Sequence, residues 1–180
     1  MGAVLTAART MRSPAAETAA SRPDLEWVAR RALSVGRQTA LGVLGDHEAA
    51  DDVAQEIALI ALRRAATVRD PEKFDAWLQR VAVRAALKEA RRRGRRREAE
   101  TAYHRLEEVP AHVDGLDGAL ALLAGLPARQ RAALTLRYVH DLPDAAIARA
   151  LGCRTGTVGS LLSRGRAALR DLPTIQETKR

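Results

Sequence analysis

GLPARQRAALTLRYVHDLPDAAIARALGCRTGTVGSLLSRGRAALR, residues 125–170, decides the fold of this 180-residue chain. Ala132, Ala133, Leu136 and Val139 share one helical face, which predicts a helix over Ala128–Val139. Pro127 suits its first turn, where a missing N–H costs nothing. A second helix is expected over Pro143–Leu151, with Ala146, Ile147, Ala150 and Leu151 inward. Gly152 stands where a helix end turns left-handed. Thr155 is placed to cap a third helix, whose inward side is Val158, Leu162, Gly165 and Leu169. A short helix, a Gly-containing turn and a longer helix opening on small polar residues make the helix-turn-helix pattern. In that motif the second helix enters the DNA major groove. On pattern alone, a plain three-helix core is the alternative.

The rest of the chain is also helical in character. Ala, Leu and Arg dominate and aromatic residues are few, so an all-α fold is expected. The net charge of +8 suggests a polyanionic partner. Residues 84–97 alone carry +7 of it: Arg84, Lys88, Arg91, Arg92, Arg93, Arg95, Arg96 and Arg97 against Glu89. The one cysteine, Cys153, cannot form an internal disulfide, and no metal-ligand spacing is present. It reads as a turn residue of an intracellular protein. The uncharged stretch at 118–128 is far too short to span a membrane. The N-terminus makes a poor signal peptide, because its arginines follow the small apolar stretch.

Residues 1–23 are rich in Ala, Ser, Thr and Pro without sustained periodicity and read as a disordered tail; Met11 is an alternative start. A first long helix is expected over Asp24–Leu44, with Leu25, Val28, Ala32, Val35 and Leu41 on one face and Trp27 beside it. Asp46 is placed to cap a second helix, whose buried stripe is Ala50, Val53, Ile57, Ile60 and Ala61. Asp51, Asp52, Gln55, Glu56, Leu59 and Arg63 fall on another side; chemistry alone makes this a solvated face or a docking face. Asp70-Pro71-Glu72 is a strong helix start. In the helix that follows, Phe74, Trp77, Leu78, Val81 and Ala85 are expected inward. Arg80, Arg84, Lys88, Arg91 and Arg92 form a basic stripe, and a stripe on an anchored helix can track a phosphate backbone. Gly94 is expected to fray the basic end. Residues 99–118 are acidic, with Pro110 and Gly115, and read as a flexible linker with one helical turn around Tyr103–Leu106. Pro173 is expected to end the last helix.

The spelling of these segments resembles the sigma-70 family of bacterial RNA polymerase. LPARQRAALTLRYVHDLPDAAIARALGCRTGTVGSLLSRGRAALR is similar to region four, with its L-G turn, G-T-V and trailing R-x-R-x-x-L. GDHEAADDVAQEIALIALRR and FDAWLQRVAVRAALKEARRRGRRR resemble region two. With no other recognisable domain, the resemblance is to the small extracytoplasmic-function (ECF) class of sigma factors. It implies two small helical domains: region two over 24–98 and region four over 119–172, joined by the 99–118 linker and flanked by tails at 1–23 and 173–180. It implies that Asp51, Asp52, Gln55, Glu56, Leu59 and Arg63 dock on core RNA polymerase. It implies that Arg69, Asp70, Trp77, Arg80, Arg84, Lys88, Arg91 and Arg92 meet the single-stranded −10 element. There the loop Ala65–Asp70 would capture an unstacked base, offsetting an unstacking cost of roughly a few kcal/mol. Trp77 fits core packing as well. It implies that Arg154, Thr155, Thr157, Ser160 and Arg164 meet the duplex −35 element.

Three departures stand out. Arg84 and Lys88 occupy the family's Asn and Asp positions, and Ala146 replaces the Glu of E-I-A. Gly159 and Leu161 replace two basic residues of the recognition helix, so a weak or altered −35 contact is expected. The implied function is promoter specificity without catalysis: no cofactor, no metal, no small-molecule substrate, no membrane, and a cytoplasmic location. An anti-sigma partner is common in the class, and nothing in the sequence identifies one. The alternative is a stand-alone helix-turn-helix regulator binding duplex DNA without polymerase. His47, His104, His112 and His140 show no acid–base or metal spacing, which argues against an enzyme.

Overall fold

The computed structural model describes residues 24–101, 123 and 125–170, with backbone alone for 96–101. The expected tails, the linker beyond residue 101, the turn at Tyr103–Leu106 and Pro173 lie outside the described residues. The described chain is all-α and forms two helical clusters. The first comprises α1 (Leu25–Leu44), α2 (His47–Arg64), a short 3-10 turn at Ala65–Thr67, and α3 (Pro71–Thr101). The second comprises α4 (Ala128–Tyr138), α5 (Asp144–Leu151) and α6 (Thr155–Arg170).

Capping sets the starts of the first three helices. Asp24 accepts from the Glu26 N–H at 3.1 Å, and α1 ends at Gly45, whose φ of 68° places it in the left-handed region. Asp46 accepts from the Ala49 N–H at 2.8 Å and from Arg93 at 2.9 Å. The backbone bond first, and the guanidinium second, hold its carboxyl below the usual carboxylate range. Asp70 accepts from the N–H groups of Glu72 and Lys73 and caps α3. Cap and Pro71 together account for the sharp start there.

Val28, Ala32, Val35, Thr39 and Val43 form the buried stripe of α1. Leu25, expected on that face, is 60% exposed. Trp27 beside it is partly exposed, and its ring lies 5.6 Å from that of Phe74. On α2 the buried residues are Ala49, Ala50, Val53, Ala54, Ile57, Ala58 and Ala61, while Ile60 is only half-buried. Burying Ile57 completely contributes about 2–3 kcal/mol. Gly94 does not fray α3, which continues to Thr101, past the boundary expected near residue 98. Of the side chains expected inward on α3, Phe74 and Leu78 are buried, and Trp77, Val81 and Ala85 are half-buried. Ala82, Val83, Ala86 and Leu87 are buried as well. The inward face is broader than one cluster requires because α3 packs against α1 and α2 and also against α4 and α5.

In the second cluster α4 is enclosed on all sides: Ala132 through Leu136 are consecutively buried. One helical face cannot produce five buried residues in a row, so α4 is packed from two directions, by α5 and α6 and by α1. Val139, expected inward, sits just past the helix end and is 53% exposed. Gly152 ends α5 with φ 62°, as its position in the sequence predicts. Helix α6 begins at Thr155 itself, one position earlier than a Thr155 cap would place it. Arg137 pairs with Asp144 and ties α4 to α5.

The clusters share one continuous apolar core. Arg131 Nε donates to the Val43 carbonyl at 2.5 Å, Gly42 lies against Thr135, and His140 Nε2 is 2.8 Å from Thr39 Oγ1. Ascending α4 therefore matches descending α1, and the two helices run antiparallel. The Thr39 hydroxyl donates to the Val35 carbonyl, so its oxygen accepts from a protonated His140 Nε2. Burial first, and the Arg31 charge on α1 second, push the His140 pKa below its ordinary value of 6.5, against the opposing pull of Asp75 on α3. A depressed imidazole stabilises the packed form above pH 6.5, and that stability is lost as pH falls from 6.5 through the depressed value. His140→Gln, which keeps a donor without titrating, is expected to flatten the melting temperature between pH 7 and 5. An unchanged pH profile would contradict this.

Candidate nucleic-acid interface and partner face

The basic stripe runs along the solvent side of α3. Arg84, Lys88, Arg91 and Arg92 are exposed and Arg80 is half-buried. Arg92 is engaged by Glu89 at 2.8 Å, and that hydrogen bond holds the Glu89 carboxyl below its usual range. Arg84, Lys88 and Arg91 remain as a row of exposed cations one helical turn apart.

At the start of α3 the loop Ala65–Asp70 borders a half-open cavity of about 250 Å³. It is lined by Arg64, Thr67, Val68, Arg69, Asp70, Lys73, Phe74 and Trp77. This is below the ~300 Å³ of the smallest drug-sized pockets and suits one flat ring system. Trp77 stacks on Phe74 with centroids 5.6 Å apart and planes at 29°. The Arg64 guanidinium lies 5.3 Å from the Trp77 ring centroid. Trp77 is thus core on one side and cavity wall on the other, so both of its expected roles are compatible. Asp70 is held by its cap bonds and by Lys73 at 3.2 Å. Arg69, Asp70 and Trp77 come together here, whereas Arg80, Arg84, Lys88, Arg91 and Arg92 continue away along the helix. Sequence reasoning missed Arg64, Lys73 and Phe74 as cavity walls. Arg64 meets Trp77 only because the 3-10 turn folds the end of α2 back over the start of α3.

The α2 face is a separate surface. Asp52, Gln55, Glu56, Leu59 and Arg63 are exposed, and Asp51 is half-buried with its carboxylate on Arg37 at 2.6 Å. Leu59 is 57% exposed in the middle of this charged face.

Arg154, just before α6, and Thr155, Thr157, Ser160 and Arg164 on it are all exposed. Arg154 and Thr155 rim an open groove with Arg149, Gly152 and Cys153. Leu161 is half-buried against the core. Gly159 stands open: a Cβ there would meet nothing within 4 Å. Gly159→Arg is expected to add one phosphate contact and steepen the salt dependence of −35 duplex binding by about 0.9 in log–log slope. Anisotropy titrations across salt concentration measure this, and an unchanged slope would contradict it. Among the described residues no group of three His, Cys, Asp or Glu could hold a metal ion, and no helix is long and apolar enough to cross a membrane.

A two-cluster helical chain with a helix-turn-helix, a basic helix and a small aromatic cavity defines a class of DNA-binding proteins. Comparison with known proteins narrows it. Residues 22–96 match the family model described as Sigma-70 region 2, and residues 116–169 match Sigma-70, region 4. The chain is 32% identical to the "ECF RNA polymerase sigma factor SigE" of Mycolicibacterium smegmatis, over 84% of this chain and 62% of that protein. It is 32% identical to the "RNA polymerase sigma-H factor" of Pseudomonas aeruginosa, over 69% of this chain and 72% of that protein. Among solved structures it resembles the sigma factor RpoE in complex with the anti-sigma factor NepR from Bartonella quintana. That match has a TM-score of 0.65 and 25% identity, and covers 82% of this chain and 95% of the other. The chain belongs to the ECF class of the sigma-70 family. It spans less than two thirds of the length of the SigE relative.

Proposed function

We propose that this protein is a promoter-specificity subunit of RNA polymerase. It binds the core enzyme, holds a duplex −35 element on α6 and a separated −10 strand on α3, and has no catalysis of its own. The cavity beside Trp77 accepts one unstacked base. The observation that carries this reading is the α2 face, where a large aliphatic side chain stands 57% exposed among charged residues. A docking surface needs an apolar anchor inside a polar rim, and this face supplies one. Membership of the family supports core polymerase as the occupant. The protein acts in the cytoplasm, where the polymerase is. An anti-sigma protein is a second proposed partner, supported by the likeness to a sigma factor solved with one.

Leu59→Glu tests the docking face. Losing a buried anchor costs about 2 kcal/mol, which is roughly a 30-fold weaker affinity for core polymerase. The residue is exposed, so stability is expected to change by less than about 0.5 kcal/mol. Binding of labelled protein to purified core reads the first and thermal melting the second. Unchanged core affinity would remove the main support for the reading.

A further inference from the structure

We propose that the half-open cavity beside Trp77 is a site for a free nucleoside 5′-monophosphate, which competes there with the promoter strand. The consequence for transcription rests on the sigma-factor reading, but the site itself is a property of the chain alone.

Packing within the chain fixes the cavity wall. Trp77 stacks on the buried Phe74, and Trp27 of α1 approaches the same Phe74 ring at 5.6 Å. The Arg64 guanidinium, from the end of α2, lies over Trp77 at 5.3 Å. Three helices thus hold one surface in place, and bases stack on aromatic rings and guanidinium planes alike. One stacked base is worth roughly 5- to 150-fold in affinity. A surface already held by packing spares the cost of ordering it on binding.

The charge of the lining singles out a phosphate monoester. Arg64, Arg69 and Lys73 stand against one acid, Asp70, which leaves a net of +2. Asp70 is already engaged by the N–H groups of Glu72 and Lys73 and by the Lys73 ammonium. Arg64 and Arg69 have no ion pair among the described residues. A phosphate monoester carries about −1.5 to −2 at pH 7, whereas each phosphodiester of a DNA strand carries a single charge. The lining therefore complements a nucleotide with a free phosphate better than it complements the promoter strand. A cavity of about 250 Å³ takes the base and leaves the phosphate at its open side, where Arg69 and Lys73 are exposed. A guanidinium there can grip two phosphate oxygens at once.

Saturation-transfer NMR on the full chain measures the binding of adenosine 5′-monophosphate directly. Half-saturation is expected at about 1 mM. Two further probes isolate the phosphate: adenosine 3′,5′-cyclic monophosphate, whose phosphodiester carries a single charge, and adenosine, which carries none. Both are expected to bind at least about tenfold more weakly than the monophosphate. Arg69→Gln and Lys73→Gln are each expected to weaken the monophosphate about tenfold and to leave the weak binding of adenosine unchanged. Both side chains are exposed, so the variants are expected to fold as the starting protein does. Monophosphate at its half-saturating concentration is expected to weaken capture of a single-stranded −10 oligonucleotide by the complex with core polymerase about twofold. No saturation by about 10 mM, or equal binding of the monophosphate and the cyclic ester, would overturn the proposal. So would monophosphate binding that both variants leave unchanged, or oligonucleotide capture that the monophosphate does not weaken. Monophosphate binding as expected in a chain that does not bind core polymerase would overturn the sigma reading and leave the site.

Discussion

Reversing Arg84, Lys88 and Arg91 to Glu is expected to abolish promoter-complex formation while leaving the protein folded and bound to core polymerase. The three cations are exposed on one side of α3, and Arg92, their neighbour, is already engaged by Glu89. The change reverses the sign of three charges and takes the net from +8 to +2. Losing three phosphate contacts flattens the log–log salt dependence by about 2.7. The three new carboxylates face the same phosphates, and like-charge apposition of this kind costs several kcal/mol, so affinity is expected to fall by at least about 100-fold at physiological salt. No described contact joins these three side chains to the core, so the melting transition is expected to move by less than about 0.5 kcal/mol. Filter binding of the polymerase complex to promoter DNA across a salt series reads the effect. A loss of less than about threefold would place the DNA elsewhere on the protein.

The largest effect on stability is expected at Leu136, which is completely buried in the last turn of α4. Leu136→Ala removes side-chain volume from a helix packed on two sides, where collapse around the gap is hindered. Comparable truncations cost about 2–5 kcal/mol, against a total stability of about 5–15 kcal/mol for a domain. Urea unfolding followed by far-UV circular dichroism is expected to show a midpoint lowered in proportion to that loss, with an unchanged slope. A shift of less than about 1 kcal/mol would mean that α4 is not central to the core. Because α4 also lines the seam with α1, the loss is expected in the first cluster's melting as well as the second's.

The sequence made most of the architecture legible. Asp46, Asp70 and Gly152 mark helix ends chemically, and each sits at the end it predicts. The helix-turn-helix was readable because its turn and its buried residues Ile147, Leu151, Val158 and Leu162 are local features. What was not legible is long-range. Five consecutive buried residues on α4 follow from packing against α1, which lies nearly 90 residues away in sequence. The cavity wall formed by Arg64 depends on a 3-10 turn whose sequence, Ala-Ala-Thr, carries no strong turn signal. Gly94 weakened the expectation for the end of α3, yet one glycine costs only about 1 kcal/mol in a 31-residue helix. Leu161 replaces a basic residue of the family pattern, and its half-buried packing beside Leu162 depends on the neighbouring helices rather than on any local signal.

Run-off transcription with purified core RNA polymerase, with and without this protein, on a library of promoter fragments tests the central proposal most directly. Discrete start sites that require the protein, each preceded by a shared pair of elements near −35 and −10, are predicted. No protein-dependent starts together with no binding to core polymerase would contradict the account, and would favour a stand-alone helix-turn-helix regulator of duplex DNA.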